Sequence, residues 1–140
     1  MKKLLLVLIA LSTLLLAACG DREQIRQHRL ERNKPKVVVM SDKVFVQRRP
    51  YPDIHILADG GLRIDDIRIP TTPDQQAQLM QTFGMLQVVR QNTLSTDTSG
   101  ERTPKIIAPD GFEPFPASLI EAVPELRDYT ECFSNLKAGR

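Results

Sequence analysis

The clearest secondary-structure pattern in the chain lies at Ile54–Asp65, which reads IHILADGGLRID. Two short runs rich in β-branched and apolar residues flank Asp59-Gly60-Gly61. Glycine adopts positive φ angles without steric cost, so the stretch predicts a β-hairpin. His55 alternates with two isoleucines and is therefore expected on the solvent side of the sheet.

Further strands are expected on both sides of this hairpin. Val37–Met40 is apolar and largely β-branched, Lys43–Gln47 alternates, and Ser41-Asp42 between them is short enough for a tight turn. Downstream, the phase of the alternation slips by one residue at Asp65-Asp66, where we expect a turn or a bulge. The sheet is therefore expected to consist of antiparallel hairpins.

A helix start follows the strands at Thr72-Pro73-Asp74-Gln75. Thr72 suits the N-cap, proline suits the first helical position, and Gln75 completes a capping box. The helix is expected to run to about Asn92. Its buried side is predicted to contain Leu79, Met80, Phe83, Leu86 and Val89.

The chain loses its period after this helix, and prolines forbid long regular elements between Thr93 and Ala117. The apolar residues there are expected to pack across the domain: Ile106, Ile107, Phe112 and Phe115. A short helix is expected at Ser118–Ala122. A last helix should begin at Pro124 with Leu126, Tyr129, Phe133 and Leu136 on one face, and with Cys132 bordering that face. The fold class predicted for residues 37–140 is therefore a single small α+β domain. In it, the antiparallel sheet packs against one central and one C-terminal helix.

The N-terminal residues follow a targeting pattern. Lys2 and Lys3 precede an uncharged run, Leu4–Leu16, which is shorter than the roughly 17–25 apolar residues that a membrane-spanning helix needs. The run ends in Leu16-Ala17-Ala18-Cys19. This tetrapeptide resembles the lipobox of bacterial lipoproteins, a resemblance that covers residues 1–20.

The resemblance implies that the thiol of Cys19 receives a diacylglyceryl group, that the chain is cut before it, and that the new amine is acylated. Residues 1–18 are then a signal peptide, and residues 19–36 are a lipidated N-terminus and tether. An ordinary signal peptide or an uncleaved anchor is the alternative. Gly20 stands where aspartate favours inner-membrane retention in the enterobacterial sorting pattern, so we expect the outer membrane, although Asp21 follows directly.

Four arginines of the tether recur at spacings of four, three and three, which places them on one helical face: Arg22, Arg26, Arg29 and Arg32. Two interpretations stay open. The stripe either rests on anionic phospholipid headgroups or belongs to a solvated spacer.

Overall charge and cysteine content narrow the class of protein. The formal charge of +2 comes from the targeting segment, because the chain after Ala18 has 17 basic and 17 acidic residues. The basic pI is therefore no argument for a nucleic-acid partner. If Cys19 is lipidated, Cys132 has no partner in its own chain. We expect it to be buried and unreactive, the competing idea being a disulfide between two copies.

Candidate chemistry is sparse. Arg48, Arg49 and Tyr51 are the predicted contacts for a small anionic ligand, although a stiff turn at a strand end is the more ordinary interpretation. The two histidines, His28 and His55, have no metal-ligand spacing, and no cofactor is expected. Four aspartates that cluster in the sequence could in principle serve glycoside hydrolysis as paired carboxylates: Asp53, Asp59, Asp65 and Asp66. Asp59 before the glycine pair and Asp65-Asp66 at the phase slip, however, occupy ordinary turn positions. No enzyme activity is expected.

The order of hairpin, short strand and Thr-x-x-Gln helix between Ile54 and Arg90 resembles the YggN-like periplasmic proteins, over about a quarter of the chain. That resemblance implies an α+β arrangement. The function expected from the sequence is a lipoprotein of the bacterial envelope that presents a non-catalytic structural or interaction domain. Its partners would be the membrane, through the lipid, and an envelope protein. The alternative is a periplasmic module that binds a small anionic or apolar ligand.

Overall fold

The computed structural model describes residues 22–140, which belong to two compact units divided after Lys34. In the first unit, residues 22–33 are helical (α1) and all of them are exposed. The four arginines of the predicted tether therefore lie on an exposed helix, and both interpretations of the stripe stay open. The predicted signal peptide and the predicted lipidation site, Cys19, lie outside the described residues.

The second unit, residues 35–140, is built on a six-stranded sheet. The strands are β1 (Lys36–Val39), β2 (Lys43–Gln47), β3 (Ile54–Leu57), β4 (Leu62–Ile64), β5 (Ile67–Ile69) and β6 (Leu136–Ala138), in the spatial order β5-β4-β3-β2-β1-β6. The first five strands pair antiparallel with their sequence neighbours, as predicted. The sixth pairs parallel with β1. The α+β class is thus confirmed, and the predicted antiparallel pairing holds for β1 to β5 but not for β6, which makes the sheet mixed.

The predicted turns have the expected backbone. Gly60, between β3 and β4, has a φ of +74°, and a Cβ atom there would lie 2.3 Å from the carbonyl oxygen of Gln76. Only glycine lets the helix approach the hairpin so closely. Asp65 and Asp66 adopt φ values of 45° and 68° in the turn between β4 and β5. Aspartate tolerates this left-handed region better than most residues, which explains the pair of carboxylates structurally.

The central helix, α2 (Pro73–Thr96), begins at the predicted N-cap but ends four residues later than expected. Its buried residues are Leu79, Thr82, Leu86 and Arg90. Phe83 and Val89 are only half-buried, and Met80 is 49% exposed, so the predicted apolar face is partly wrong. Two polar residues belong to the inward face instead. They can be buried because Oγ1 of Thr82 donates to the carbonyl of Pro114 at 2.9 Å, and Nε of Arg90 donates to that of Gly139 at 2.8 Å.

The C-terminal region contains α3 (Ala117–Ala122) and a 3₁₀ helix (Pro124–Asn135) that leads directly into β6. The predicted C-terminal helix is present, but it is a 3₁₀ helix, so the predicted arrangement of its apolar face is wrong. A 3₁₀ helix has three residues per turn, so the buried positions recur every third residue: Leu126, Tyr129 and Cys132. Phe133 moves to the margin of the core, and Leu136 belongs to the parallel strand. Ile107 is 89% exposed and does not pack across the domain as predicted, whereas Ile106 and Phe115 do.

The core forms one layer between the inner face of the sheet and the helices. Inner-face side chains from all strands except β5 are fully or almost fully buried: Val37, Val39, Val44, Val46, Ile54, Ile56, Leu62, Leu136 and Ala138. The buried side chains of α2, α3 and the 3₁₀ helix belong to the same cluster. The outer edge of β6 is covered by the segment at Pro104–Ile106, because the amide of Ala138 donates to Pro104 and that of Ile106 donates to Leu136, both at 2.9 Å.

Candidate functional site

The predicted anion-binding residues lie in a corner where β2 ends and the chain turns towards β3. The guanidinium of Arg48 lies 4.7 Å from the centre of the Tyr51 ring, and its Nε donates to a carboxylate oxygen of Glu131 in the 3₁₀ helix. Arg49 pairs with Asp53 at 3.6 Å. The structure thus places all three predicted contact residues in one corner and gives each arginine a carboxylate.

The same corner is tied to the 3₁₀ helix by Tyr129. Its hydroxyl donates to the carbonyl oxygen of Pro52 at 2.7 Å, and its ring meets that of Tyr51 edge-on with centroids 6.1 Å apart. Burial, followed by the charge of Asp128, raises the pKa of Tyr129 to about 12. The phenol is therefore a neutral hydrogen-bond donor that fixes the connection between β2 and β3.

Electrostatics keep Arg48 charged. Partial burial opposes its charged form, but the hydrogen bond and charge of Glu131, with Tyr51 and Asp128 nearby, outweigh burial and raise its pKa. A small anion at this corner has to compete with Glu131 for Arg48 and with Asp53 for Arg49. The ion pair between Arg48 and Glu131 is well suited to holding the end of β2 against the 3₁₀ helix. The corner can accept an anion only if that anion displaces the carboxylate of Glu131 or Asp53.

The outer face of the sheet is the second candidate, and the strand registers define it. One row of outward residues crosses all six strands: Lys137, Val38, Phe45, His55, Arg63 and Arg68. A flanking pair on each side of the row completes the face, Lys36 opposite Gln47 and Lys43 opposite Leu57. These ten residues are called the outer face below. His55 lies on it as predicted, with its ring edge-on to that of Phe45 at 5.3 Å between centroids.

Charge is distributed unequally between the outer face and the helices. Five of the ten outer-face residues are Lys or Arg, and none is Asp or Glu. Across α2, α3 and the 3₁₀ helix the balance reverses, with five carboxylates against two arginines, of which Arg90 is buried. The helical carboxylates are Asp74, Glu121, Glu125, Asp128 and Glu131. The nearly neutral chain therefore carries a basic surface on one side of the sheet and an acidic layer on the other.

Two of the five outer-face cations are held by turn residues. Arg68 pairs with Asp59 at 2.8 Å, and Arg63 pairs with Asp66 at 3.5 Å while also donating to its carbonyl. Hydrogen bonds from Arg68 and from the amide of Gly61 hold the pKa of Asp59 below its ordinary value. Within residues 22–140, Lys43 and Lys137 form no salt bridge.

The third candidate is a groove between the last turns of α2 and the segment that begins at Pro104. This groove has a volume of about 570 Å³, and its walls include Val89, Thr93 and Ile107. Its volume falls in the range of small-molecule sites, but it is open along one side. Cys132, by contrast, is fully buried as predicted, and its thiol donates to the carbonyl of Gln47 at 3.6 Å.

In residues 22–140, no three His, Cys, Asp or Glu side chains come together as a metal-binding group. None of the helices in that part of the chain is both long enough and apolar enough to cross a membrane. Neither family models, curated proteins nor solved structures gave a match to this chain.

Sequence reasoning named the corner residues but missed their partners. Glu131 lies 83 residues from Arg48, so no local pattern links the two. The outer face was missed because its members come from six strands, and only the registers align them. The alternation within each strand was the available signal. Every strand except β1 contributes a basic or aromatic residue to the central row, and β1 contributes Val38.

Proposed function

We propose that this chain is a lipoprotein of the bacterial cell envelope, anchored through Cys19, which presents residues 37–140 as a non-catalytic interaction domain. The observation that carries the proposal is the Leu16-Ala17-Ala18-Cys19 tetrapeptide at the end of a short, uncharged run that follows Lys2 and Lys3. The exposed α1 helix supports it, because a solvated spacer between an anchor and a folded unit gives that unit room to reach a partner.

Metabolic labelling with palmitate tests the anchor directly. The wild-type chain should incorporate label, and Cys19→Ser should remain an unlipidated precursor. Cys132→Ser is the matched control, because it removes the other cysteine and should keep the label. Label that persists in Cys19→Ser, or that disappears in Cys132→Ser, would refute lipidation at Cys19.

Residence in the outer membrane is the finer part of the proposal and rests on Gly20. Sucrose-gradient fractionation of an enterobacterial host should find the wild-type chain in the outer membrane. Gly20→Asp should move it towards the inner membrane, and Gly20→Asn should not. A wild-type chain found wholly in the inner membrane would overturn this assignment.

A ligand-binding module is the second candidate. It is supported by two adjacent arginines, of which Arg48 lies over the Tyr51 ring and both pair with carboxylates. Because Glu131 and Asp53 already occupy these cations, binding of phosphate or citrate should be strengthened by Glu131→Gln, which frees Arg48. Glu125→Gln, on the same 3₁₀ helix, is the control. Calorimetric titration that detects no anion binding in the wild type or in Glu131→Gln would eliminate this candidate.

A further inference from the structure

We propose that the outer face of the sheet rests on the anionic phospholipid headgroups of the membrane that holds the chain. The inference builds on the proposed anchor at Cys19 and adds an orientation: the basic side of the sheet faces the bilayer, and the acidic helical layer faces the aqueous compartment.

Charge is the first argument. The outer face carries five basic side chains, of which Arg63 and Arg68 are already paired with the turn carboxylates of Asp66 and Asp59. Attraction between basic residues and an anionic lipid surface acts within about one Debye length, near 8 Å at physiological salt. Because outward side chains of neighbouring strands lie on one face of a sheet, these cations can approach the lipid surface at the same time. Lys43 and Lys137 form no salt bridge within residues 22–140, so their ammonium groups are available to phosphate oxygens.

The layered architecture is the second argument. The helices of the 35–140 unit place their buried side chains against the inner face, and their five carboxylates lie in that layer. An anionic surface therefore attracts one side of the unit and repels the other. This asymmetry selects an orientation even though the chain after Ala18 has no net charge.

The short connection to the anchor is the third argument. Lys36, the first residue of β1, lies 17 residues after Cys19, so the sheet stays within at most about 60 Å of the lipidated residue. Tethering makes the second contact intramolecular, and a weak electrostatic attraction then suffices to hold the face down. Phe45, half-buried at the centre of the face beside His55, adds an apolar ring at the level of the headgroups.

A second copy of the chain is the competing occupant, because its acidic layer also complements the outer face. Sheet-to-helix stacking is a head-to-tail contact that leaves a free face at each end and does not close. It also stacks copies outward, whereas the proposed anchors hold all copies at one surface. The membrane is therefore the occupant that we assign.

The test uses the mature lipidated chain, residues 19–140, reconstituted into vesicles of phosphatidylcholine, with or without phosphatidylglycerol. A fluorophore is attached at Leu57→Cys on the outer face or at Thr130→Cys on the 3₁₀ helix. Cys132 is fully buried and does not compete for the label under native conditions. A phospholipid with a nitroxide on its headgroup serves as the quencher.

The proposal expects phosphatidylglycerol to increase quenching of the Leu57→Cys label at least twofold, with high salt reversing the increase and the Thr130→Cys label unaffected. Lys43→Glu with Lys137→Glu should abolish the increase. The matched control is Arg102→Glu with Arg127→Glu, which changes the net charge equally on exposed residues outside the outer face. Circular dichroism verifies that each variant folds. If the double variant Lys43→Glu with Lys137→Glu does not fold, Lys43→Gln with Lys137→Gln takes its place.

Equal quenching at the two labels, or quenching indifferent to phosphatidylglycerol, would overturn the proposal. Quenching of the Leu57→Cys label that falls as protein density in the vesicle rises would assign the face to a second copy and would also overturn it. Vesicle flotation separates these results from failure of the anchor. A chain that does not float with either vesicle refutes the proposed lipoprotein, whereas a chain that floats without the expected quenching refutes only the orientation.

Discussion

Thr72 and Gln75 hydrogen-bond each other reciprocally at the start of α2. Oγ1 of Thr72 accepts from the amide of Gln75 at 3.3 Å, and Oε1 of Gln75 accepts from the amide of Thr72 at 2.8 Å. The amide group of Gln75 also donates to the carbonyl of Ala122, which links this helix start to the end of α3. The side chains of Thr72 and Gln75 thus give hydrogen-bond acceptors to two backbone amides at the start of α2, and Gln75 connects α2 to α3.

The cap predicts a defined loss of stability. Thr72→Ala should lower the free energy of unfolding by about 1 kcal/mol, because it removes the acceptor for the amide of Gln75. Thr72→Ser retains a hydroxyl and should cost clearly less. Urea unfolding followed by circular dichroism measures both, and equal losses in the two variants would contradict the capping box.

The inward face of α2 is tested by two large apolar residues six positions apart. Leu86 is fully buried, so Leu86→Ala should cost about 2–5 kcal/mol through the cavity that it leaves. Met80 is 49% exposed, and Met80→Ala should cost about 1 kcal/mol or less. Equal destabilisation in urea unfolding would mean that the helix presents a different face to the sheet.

Alkaline pH should destabilise the fold through Tyr129 and Cys132. Burial, with the charge of Glu131 added for the thiol, raises the pKa of Cys132 to about 11, and burial followed by Asp128 raises that of Tyr129 to about 12. In the unfolded chain the pKa values of these groups are about 8.5 and about 10. The stabilisation is fully present below the unfolded values and is lost as the pH rises through the folded ones.

The measurement is the thermal midpoint between about pH 8 and pH 12, a window set by those unfolded and folded pKa values. The wild-type midpoint should fall across this range, and Tyr129→Phe with Cys132→Ala should fall less, even if its midpoint at neutral pH is lower. Parallel declines in the two proteins would show that these groups do not carry the alkaline sensitivity.

Cys132 should be unreactive in the folded chain. It is fully buried, and its raised pKa leaves little thiolate at neutral pH. A thiol reagent should modify it only after denaturation, and non-reducing electrophoresis should show no dimer. Thr130→Cys, two residues away and exposed, is the positive control and should react at once. A reductant-sensitive dimer that disappears in Cys132→Ser would contradict burial.

Local features of the fold could be predicted from the sequence, whereas long-range ones could not. Gly60, Asp65-Asp66 and the Thr72 cap act over a few residues, so composition and spacing revealed them. The parallel pairing of Val37 with Leu136 joins residues 99 positions apart and has no local signal. The phase of the last helix was wrong because its period depends on whether the turn is 3₁₀ or α. The apolar residues of this segment do not by themselves distinguish a period of 3.0 residues from one of 3.6.

The site residues follow the same division. Arg48, Arg49 and Tyr51 were recognisable as an unusual cluster, but their role depends on Glu131 and Asp53, which neutralise both cations. The basic outer face emerges only when six short strands are aligned, because each contributes just one to three of its residues.

Mass spectrometry of the mature N-terminal peptide, purified from membranes, tests the central claim most directly. The account predicts a chain that begins at Cys19, with a diacylglyceryl group on the thiol and an acyl group on the amine. A chain that begins at Met1, or that is cut elsewhere with an unmodified thiol at Cys19, would contradict it.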